Sequence, residues 1–381
     1  MQDLDSITED SLIAKGGRKW SSFPGSLGAF IAEMDFGVAP GVRQALRDVD
    51  ERDLFGYAPQ SIITDLKSAT SRFCAERYGW QFPEDHVELA SDVIASFLGI
   101  LTHLTPAGTP IVLPTPAYMP FFDVAKVTGR ELIEVPMLRS ETGWAVDLEA
   151  VDAALVPGST LVLCNPHNPI GKVYTQSELL ELAEVVQRND ARVFSDEIHA
   201  PLVYEPARHI PYASLNDTTA SHTATATAAS KAFNIPGLKC AQLIFSSADD
   251  RATWAKKGTF ISGAASNPGI LATTAAYTQS GEWLAEITAY LKGNRELLSD
   301  LVATHLPHAT FLPPEGTYLA WLDLRRYGLD AGLSEHFNAQ AHVAITEGRL
   351  CGEVGAGHIR LNFALPRPLL TEAIERIASA L

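Results

Sequence analysis

The chain has 381 residues, of which 46% are hydrophobic and 19% charged, an ordinary composition for a globular enzyme with a sizeable core. Its net charge of −16 argues against nucleic acid and anionic membrane surfaces as partners, because both attract basic faces. The acidic N-terminus has no apolar signal core, and no apolar run approaches the roughly 18 residues of a membrane span. The four cysteines lack Cys-x-x-Cys spacing, which is typical of reduced thiols. We therefore predict a cytoplasmic protein.

Glycines and prolines interrupt the first part of the chain and predict an irregular arm over residues 1–30. The next predicted elements are helices over 41–49 and 62–78, a strand over 87–90 and a helix over 93–103. Ser91 and Asp92 can cap the last of these helices, whose first turn is small and apolar. Such a helix start can bind an anion, because free N–H groups and the helix dipole point outward, although many helices begin this way without a ligand.

Buried-type strands follow over 111–113, 161–164 and 192–195, and each ends in a cluster of polar residues. Between the second and the third of these strands, Thr175 and Glu178 form a capping box that opens an amphipathic helix. A strand, a helix and a strand in this order predict a right-handed βαβ unit in a parallel sheet. Ligands bind at the carboxyl edge of such a sheet, which is where the polar clusters fall.

The last third of the chain predicts a smaller domain. A strand over 240–245 precedes a long helix over 281–306, strands over 317–323 and 358–363, and a closing helix after Pro368. The predicted fold class is α/β, a large domain with a mostly parallel sheet flanked by helices plus a smaller α+β domain. We predict an N-terminal arm and part of the small domain in residues 1–48, the large domain in 49–280 and the C-terminal small domain in 281–381.

Lys231 has unusual surroundings for a lysine. It follows a run of small and β-branched residues over 223–229, and residues 219–238 contain no carboxylate, no arginine and no second lysine. A lysine in such a dry setting loses part of its preference for the protonated form, because burial penalises charge. That state is needed for a Schiff base with an aldehyde cofactor, whereas the alternative is a structural lysine at a strand end.

Three polar motifs follow the strands in order. They are Asn-Pro-His-Asn-Pro-Ile-Gly at 165–171, Asp-Glu-Ile-His at 196–199 and Ser-Lys-Ala-Phe-Asn at 230–234. Together they resemble the fold-type-I pyridoxal 5′-phosphate (PLP) enzymes of the aspartate aminotransferase superfamily. Within it the chain is similar to the cystathionine β-lyase, or cysteine-S-conjugate C–S lyase, branch. Further matches in order are residues 19–20, 32–36, 56–57, 116–118, 316–321 and 360–366.

The resemblance implies roles around the cofactor ring. Lys231 would form the Schiff base and then act as general base on the Cα proton. Asp196 would pair with the pyridine nitrogen, and Asn168 would donate to the phenolic oxygen. Tyr118 would stack on the ring. The alternatives for these last three residues are a capping carboxylate, a turn residue and a core aromatic.

The resemblance also implies groups for the phosphate and for an amino-acid substrate. The phosphate would be held by the helix start at Asp92, Val93 and Ile94, and by the side chains of Ser230 and Lys239. Tyr57 would reach the phosphate from a neighbouring subunit, which implies a homodimer with shared active sites. Arg360 would clamp the substrate α-carboxylate, the alternative being an edge-strand arginine in a surface ion pair.

Several positions depart from the family pattern. Asp92 stands where this branch usually has glycine, and Lys239 replaces the arginine of aminotransferases. Ala228 lacks the serine hydroxyl that many aminotransferases offer to the phosphate, and Glu33 replaces an aspartate. His199 occupies the place of the tyrosine that contacts the phenolic oxygen in aspartate aminotransferases.

The sequence predicts no metal site. His167, Asp196 and His199 could form a ligand set, but neighbours on short loops need not converge, so no metal is predicted.

The sequence therefore predicts PLP-dependent β-elimination on L-cysteine S-conjugates such as cystathionine, giving thiol, pyruvate and ammonia. An aminotransferase on the same scaffold stays open, because both reactions use the same residues around the cofactor. A regulatory role in binding another protein is the alternative from a different class. No second arginine can be assigned from the sequence to a distal carboxylate of the substrate. The sequence also does not decide whether the protein is a dimer or a tetramer.

Overall fold

A computed structural model describes residues 3–381, which form a seven-stranded central sheet, a four-stranded sheet and flanking helices. The strands of the central sheet are, in chain order, β1 (Val87–Ala90), β2 (Ile111–Thr115), β3 (Leu132–Pro136), β4 (Thr160–Cys164), β5 (Arg192–Asp196), β6 (Thr223–Thr227) and β7 (Ala241–Phe245). Their spatial order is β1-β7-β6-β5-β4-β2-β3. Strand β7 pairs antiparallel with both β1 and β6, and every other pair of neighbouring strands in this sheet is parallel. The predicted α/β class with a mostly parallel sheet is confirmed.

Both faces of the central sheet are covered, which explains its continuous apolar strands. Alternate residues of a strand enter different cores: Val162 packs with Phe97 and Phe121, whereas Leu161 packs with Leu179 and its neighbours. Strand β6 consists of alternating threonine and alanine, and its residues from 223 to 226 are fully buried. Small residues are required there because helices pack on both sides.

The smaller sheet is antiparallel and belongs to the C-terminal part of the chain. Its strands, in spatial order, are Thr310–Phe311, Leu319–Asp323, His358–Asn362 and Thr346–Glu347. The N-terminal strand Leu27–Gly28 pairs in parallel with Val343–Ala344, and a two-stranded ribbon joins Leu138–Arg139 to Trp144–Ala145. The domain boundaries stay a prediction.

The helices connect and cover these sheets. The α-helices are Glu9–Ala14, Arg18–Ser21, Pro40–Glu51, Gln60–Tyr78, Val93–His103, Pro120–Thr128, Leu148–Ala154, Gln176–Arg188, Asp217–His222, Ala248–Lys257, Thr259–Ser262, Asn267–Gln279, Gly281–His305, Leu333–Gln340 and Arg367–Ser379. Short 3-10 helices are Leu4–Ser6, Glu84–His86, Tyr212–Ser214, Pro236–Leu238, Arg325–Tyr327, Gly348–Cys351 and Glu353–Gly355. Across residues 3–381, no helix combines the length and the apolar character that crossing a membrane requires.

The prediction of an irregular arm over residues 1–30, of which residues 1 and 2 lie outside the described range, is wrong for four segments. They are the 3-10 helix Leu4–Ser6, the strand Leu27–Gly28 and two short α-helices, Glu9–Ala14 and Arg18–Ser21. The side chain of Thr8 caps the first α-helix by accepting from the N–H of Ser11. The second α-helix is held by a residue outside it, because the side chains of Lys19 and Trp20 both donate hydrogen bonds to the buried carboxylate of Asp35. Tertiary contacts thus order segments that are too short to show helical periodicity.

Candidate active site

The carboxyl ends of β4, β5 and β6 surround a cavity of about 350 Å³, called the inner cavity below. It is lined by Asp92, Val93, Ile94, Tyr118, Asn168, Asp196, His199, Ser230, Lys231 and Lys239, together with Pro120, Ile198 and Pro236. The structure thus brings together every predicted site residue except Tyr57 and Arg360. An adjoining outer cavity of about 630 Å³ shares Tyr118, Lys231 and Lys239 and adds Arg360 to its lining.

Lys231 lies half-buried at the junction of the two cavities. Its Nζ donates to the carbonyl oxygen of Ala32 at 3.0 Å. Burial, reinforced by the positive charge of Arg360, lowers the pKa of Lys231 to about 8, although Glu33 and Asp196 act in the opposite direction. The amine can therefore gain or lose a proton near neutral pH, as expected from its uncharged flanking sequence.

Asp196 ends β5 and is 3% exposed. Its Oδ1 accepts from the N–H of Ile198 at 3.1 Å, and the Cys164 thiol lies 4.0 Å from Oδ2. Burial raises the pKa of Asp196 to about 7, even though the Ile198 amide and Lys231 favour the charged form. A carboxylate held this way gains much from a cationic N–H partner.

Arg360 lies on the strand His358–Asn362 and is 3% exposed. Its Nη1 donates to Asn168 Oδ1 at 3.1 Å, and its Nη2 donates to the Phe30 carbonyl at 2.9 Å and to Thr346 Oγ1 at 3.2 Å. Its Nε has no hydrogen-bond partner within residues 3–381. Nor does any carboxylate of the described chain form an ion pair with it. The alternative of a surface ion pair is therefore wrong, and the charge can serve an anionic ligand.

His199 and Tyr118 line the inner cavity with aromatic rings that also carry polar atoms. His199 is 1% exposed, and in the part of the chain that the structure describes its Nδ1 has no partner. Burial moves the pKa of His199 well below its ordinary value, so the ring is neutral. Tyr118 contacts the edge of Phe121, with ring centroids 5.8 Å apart, and lines both cavities.

A helix start forms one end of the inner cavity. The Val93–His103 helix begins as predicted, with Asp92 as its cap: Asp92 Oδ1 accepts from the Ala95 N–H at 2.8 Å. Lys239 has a left-handed backbone, with φ of 52°, and its Nζ lies 3.0 Å from Asp92 Oδ2. Ser230 lines the same cavity. Helix amides, a hydroxyl and an ammonium group make this the end suited to an anion.

Tyr57 does not line the cavity of its own chain and is fully exposed. It lies on a turn that Asn267 fixes, because the side-chain amide of Asn267 donates to the carbonyls of Leu54 at 3.1 Å and Gly56 at 2.9 Å. Phe55 on the same turn is 67% exposed. This fixed turn therefore presents two aromatic side chains to the solvent around the isolated chain.

His167 has a structural role. Its Nδ1 lies 3.1 Å from the Tyr174 hydroxyl and its Nε2 lies 2.8 Å from the Pro116 carbonyl. Burial lowers the pKa of His167 to about 4. Within residues 3–381, no group of three potential ligands could hold a metal ion.

The structure adds groups that the sequence interpretation missed. The backbone of residues 30–33 supplies carbonyls to the site: Phe30 accepts from Arg360, and Ala32 accepts from Lys231 and from the Tyr318 hydroxyl. Arg18 lines the outer cavity, although no second arginine was assigned there. The motif over 32–36 marked this segment, but it gave no sign that main-chain oxygens would be the functional atoms.

These groups fit the cofactor that the resemblance implies. The inner cavity combines an amine with a lowered pKa, a buried carboxyl with a raised pKa and an anion-binding helix start. Two buried polar atoms, His199 Nδ1 and Arg360 Nε, lack partners among residues 3–381 and could be satisfied by a ligand. The donor set therefore suits a ring that carries a phosphate, an aldehyde and a basic nitrogen.

Comparisons with known proteins agree with this chemistry. The family model for aminotransferase class I and II matches residues 31–377. A cystathionine beta-lyase of Corynebacterium glutamicum is 36% identical over 367 residues, covering 95% of this chain and 96% of that protein. A solved Corynebacterium diphtheriae structure, described as a PLP-dependent beta-cystathionase, aligns with a TM-score of 0.92 and 39% identity over 98% of each chain. A PLP-bound C-S lyase of Staphylococcus hominis gives a TM-score of 0.90 and 26% identity over 100% of this chain and 98% of its own. The resemblance inferred from the motifs is confirmed.

Proposed function

The chain belongs to the aminotransferase class I and II family, and on this premise we propose that it is a PLP-dependent carbon–sulfur β-lyase. It acts on L-cysteine S-conjugates such as cystathionine and releases thiol, pyruvate and ammonia. The observation that carries the cofactor chemistry is the pair of titratable groups in one cavity, Lys231 with a pKa of about 8 and Asp196 with a pKa of about 7. The choice of β-elimination is supported by the similarity to the cystathionine beta-lyase of Corynebacterium glutamicum. Opposite shifts of this kind mark groups that exchange or hold protons during a reaction.

When bound, the cofactor supplies an aldehyde that condenses with amines and a ring that accepts electrons from the substrate Cα. Asp196 would hold the proton-bearing ring nitrogen, and Asn168 would donate its side-chain N–H to the phenolic oxygen. The ring of His199, which is neutral, would offer a nitrogen to the same oxygen. Tyr118 would pack on the ring face. Each of these roles uses a side chain that lines the inner cavity.

Lys231 performs the proton transfer. Its neutral Nζ would accept the Cα proton of the bound substrate, the electron pair of that C–H bond would form a Cα–Cβ double bond, and the Cβ–S bond would break with release of the thiolate. Water would then hydrolyse the released aminoacrylate to pyruvate and ammonia. The Ala32 carbonyl, 3.0 Å from Nζ, keeps the amine oriented while it is free.

Arg360 orients the substrate. Its Nε has no partner in residues 3–381, and its Nη atoms are fixed by Asn168, Phe30 and Thr346. A pre-positioned guanidinium can bind the α-carboxylate without losing much conformational freedom. The thioether side chain would extend into the outer cavity, whose lining includes Phe23, Phe30 and Leu350.

The remaining roles concern the phosphate and the assembly. The starting turn of the Val93–His103 helix, Ser230 and Lys239 would hold the phosphate, with Asp92 beside them. Tyr57 would reach the phosphate of a second subunit in a homodimer, which the exposed and fixed aromatic turn supports. A cytoplasmic location is supported by the four cysteines, all of which are buried free thiols.

The test compares Lys231→Ala with a surface lysine, Lys126→Ala. Within residues 3–381, Lys126 pairs only with the exposed Asp123, at 3.3 Å, so its loss leaves the cavity intact. We expect Lys231→Ala to release pyruvate from L-cystathionine on the order of a thousandfold more slowly than wild type, and Lys126→Ala to match wild type. Full activity of Lys231→Ala would contradict the proposal. A regulatory role in binding another protein predicts instead that wild type itself releases no pyruvate and that Lys231→Ala keeps the full regulatory function.

A further inference from the structure

A carboxylate stands at the anion-binding end of the inner cavity. Asp92 Oδ1 accepts from the Ala95 N–H at 2.8 Å, and Oδ2 accepts from Lys239 Nζ at 3.0 Å. Asp92 therefore already uses one of the free helix amides and the lysine ammonium that lines this end of the cavity. Both are groups on which an incoming phosphate would depend.

The carboxylate is charged at neutral pH. Burial alone would raise its pKa, but the Ala95 N–H and the Lys239 ammonium outweigh burial and hold the pKa of Asp92 below its ordinary value. Lys239 is committed to this pair, because Asp92 is the only carboxylate within ion-pairing distance of it in residues 3–381. Half of the lysine side chain is nevertheless exposed, so the ammonium can turn to a different anion.

We propose that Asp92 is an internal anion that competes with the cofactor phosphate for Lys239 and for the helix start, and thereby lowers the affinity for the cofactor. This inference rests on the proposed function, because it places the phosphate at this helix start. A phosphate must either break the Asp92–Lys239 pair or join it and add like charge. Removing one unit of like charge at such close range changes a binding constant by about tenfold or more.

The experiment measures equilibrium binding to cofactor-free protein. The probe is pyridoxamine 5′-phosphate, which carries the phosphate but no aldehyde, so a covalent bond to Lys231 does not contribute. Asp92→Asn keeps a side-chain oxygen that can cap the helix and removes the charge. We expect a Kd about tenfold lower in Asp92→Asn, by fluorescence titration. The Kd of unphosphorylated pyridoxamine should be unchanged.

Asp147→Asn is the matched control. Asp147 caps the helix Leu148–Ala154 through the Ala150 N–H at 3.0 Å and lines neither cavity, so this variant tests the loss of a charged cap alone. Its Kd for pyridoxamine 5′-phosphate should equal that of wild type. Asp92→Ser supplies a second uncharged cap in case Asp92→Asn does not fold, and it should also bind more tightly.

Two results would overturn the inference. If wild type binds the probe and releases pyruvate from L-cystathionine, but Asp92→Asn and Asp92→Ser bind the probe equally or more weakly, the competition is absent while the proposed function stands. If neither wild type nor the variants bind the probe, the inference and the proposed function fail together.

Discussion

Replacement of Asp196 by asparagine should remove a pH-dependent penalty from the cofactor-free protein. Burial raises the pKa of Asp196 from 3.8 to about 7, so ionisation in the folded state is unfavourable. Three pKa units correspond to about 4 kcal/mol of unfolding free energy at pH values above 7. The folded state binds more protons than the unfolded chain between about pH 4 and pH 7, so stability falls as pH rises through this window.

The assay is urea unfolding of cofactor-free wild type and Asp196→Asn from pH 5 to pH 8. Taking the difference between the two proteins cancels the titration of the groups that Asp196 does not influence. Lys231 does interact with Asp196, but with a pKa of about 8 it titrates at the upper end of this range. We expect the stability of Asp196→Asn relative to wild type to increase by about 3 kcal/mol over this range. Saturating PLP should reduce the pH dependence of wild type, since a cationic ring nitrogen would favour the charged carboxylate.

Asp323→Asn provides a control of opposite sign. Burial alone would raise the pKa of Asp323, but the hydrogen bonds and the charge of Arg325 outweigh burial and hold this pKa at about 2. The stability that this carboxylate contributes is lost only as pH falls below about 4, through the folded-state pKa. Its replacement should therefore shift stability much less between pH 5 and pH 8 than Asp196→Asn does, although His358, 3.7 Å away, is a neighbour that can titrate below pH 6.5. An Asp196→Asn difference that is equally flat would refute the assignment of a buried carboxyl that is costly to ionise.

Three further predictions concern other groups of the site and the core. Arg360→Met should lower kcat/KM for S-conjugates by about a hundredfold or more, measured by pyruvate release, because it removes the charge that faces the α-carboxylate; full activity would contradict this role. In cofactor-free protein the rate of PLP capture should rise with pH around a midpoint near 8, because only the neutral Lys231 amine reacts, and a rate independent of pH from 6 to 9 would contradict the lowered pKa. Lys19→Met should lower the free energy of unfolding, measured by thermal unfolding, by about 3–5 kcal/mol, because it leaves the buried Asp35 without its ion-pair partner. The double variant Lys19→Met, Asp35→Asn should recover part of that loss.

Local sequence signals predicted most of the fold. The helix Val93–His103 has the predicted bounds because Asp92 provides a cap at its start. The capping box of Thr175 and Glu178 is present, and the helix that it opens packs through Leu179, as its periodicity predicts. The strands were found because their residues are buried on both faces, which produces continuous apolar runs.

The missing parts depend on contacts that are distant in the chain. Arg360 and Asn168 are joined by a hydrogen bond at 3.1 Å although they are 192 residues apart. The carbonyls of Phe30 and Ala32 serve the site through atoms that every residue possesses, so no residue type could reveal them. The antiparallel direction of β7 likewise depends on its connection rather than on its composition.

Tyr57 is predicted to act in the site of a neighbouring subunit. Its sequence context resembles a phosphate-binding position, yet its side chain is fully exposed and outside the cavity of its own chain. This exposure is what the proposed homodimer predicts, because a site shared between subunits would leave its contributing residues on the surface of the isolated chain.

The most direct test of β-elimination is the stoichiometry of product release from L-cystathionine by the PLP-loaded protein, with no added keto acid. Thiol, pyruvate and ammonia should appear in equal amounts over many turnovers, and the cofactor absorbance should stay in its original form. Conversion of the cofactor to its pyridoxamine form after one turnover, with no thiol released and with turnover restored by a keto acid, would contradict β-elimination. That result would identify an aminotransferase instead.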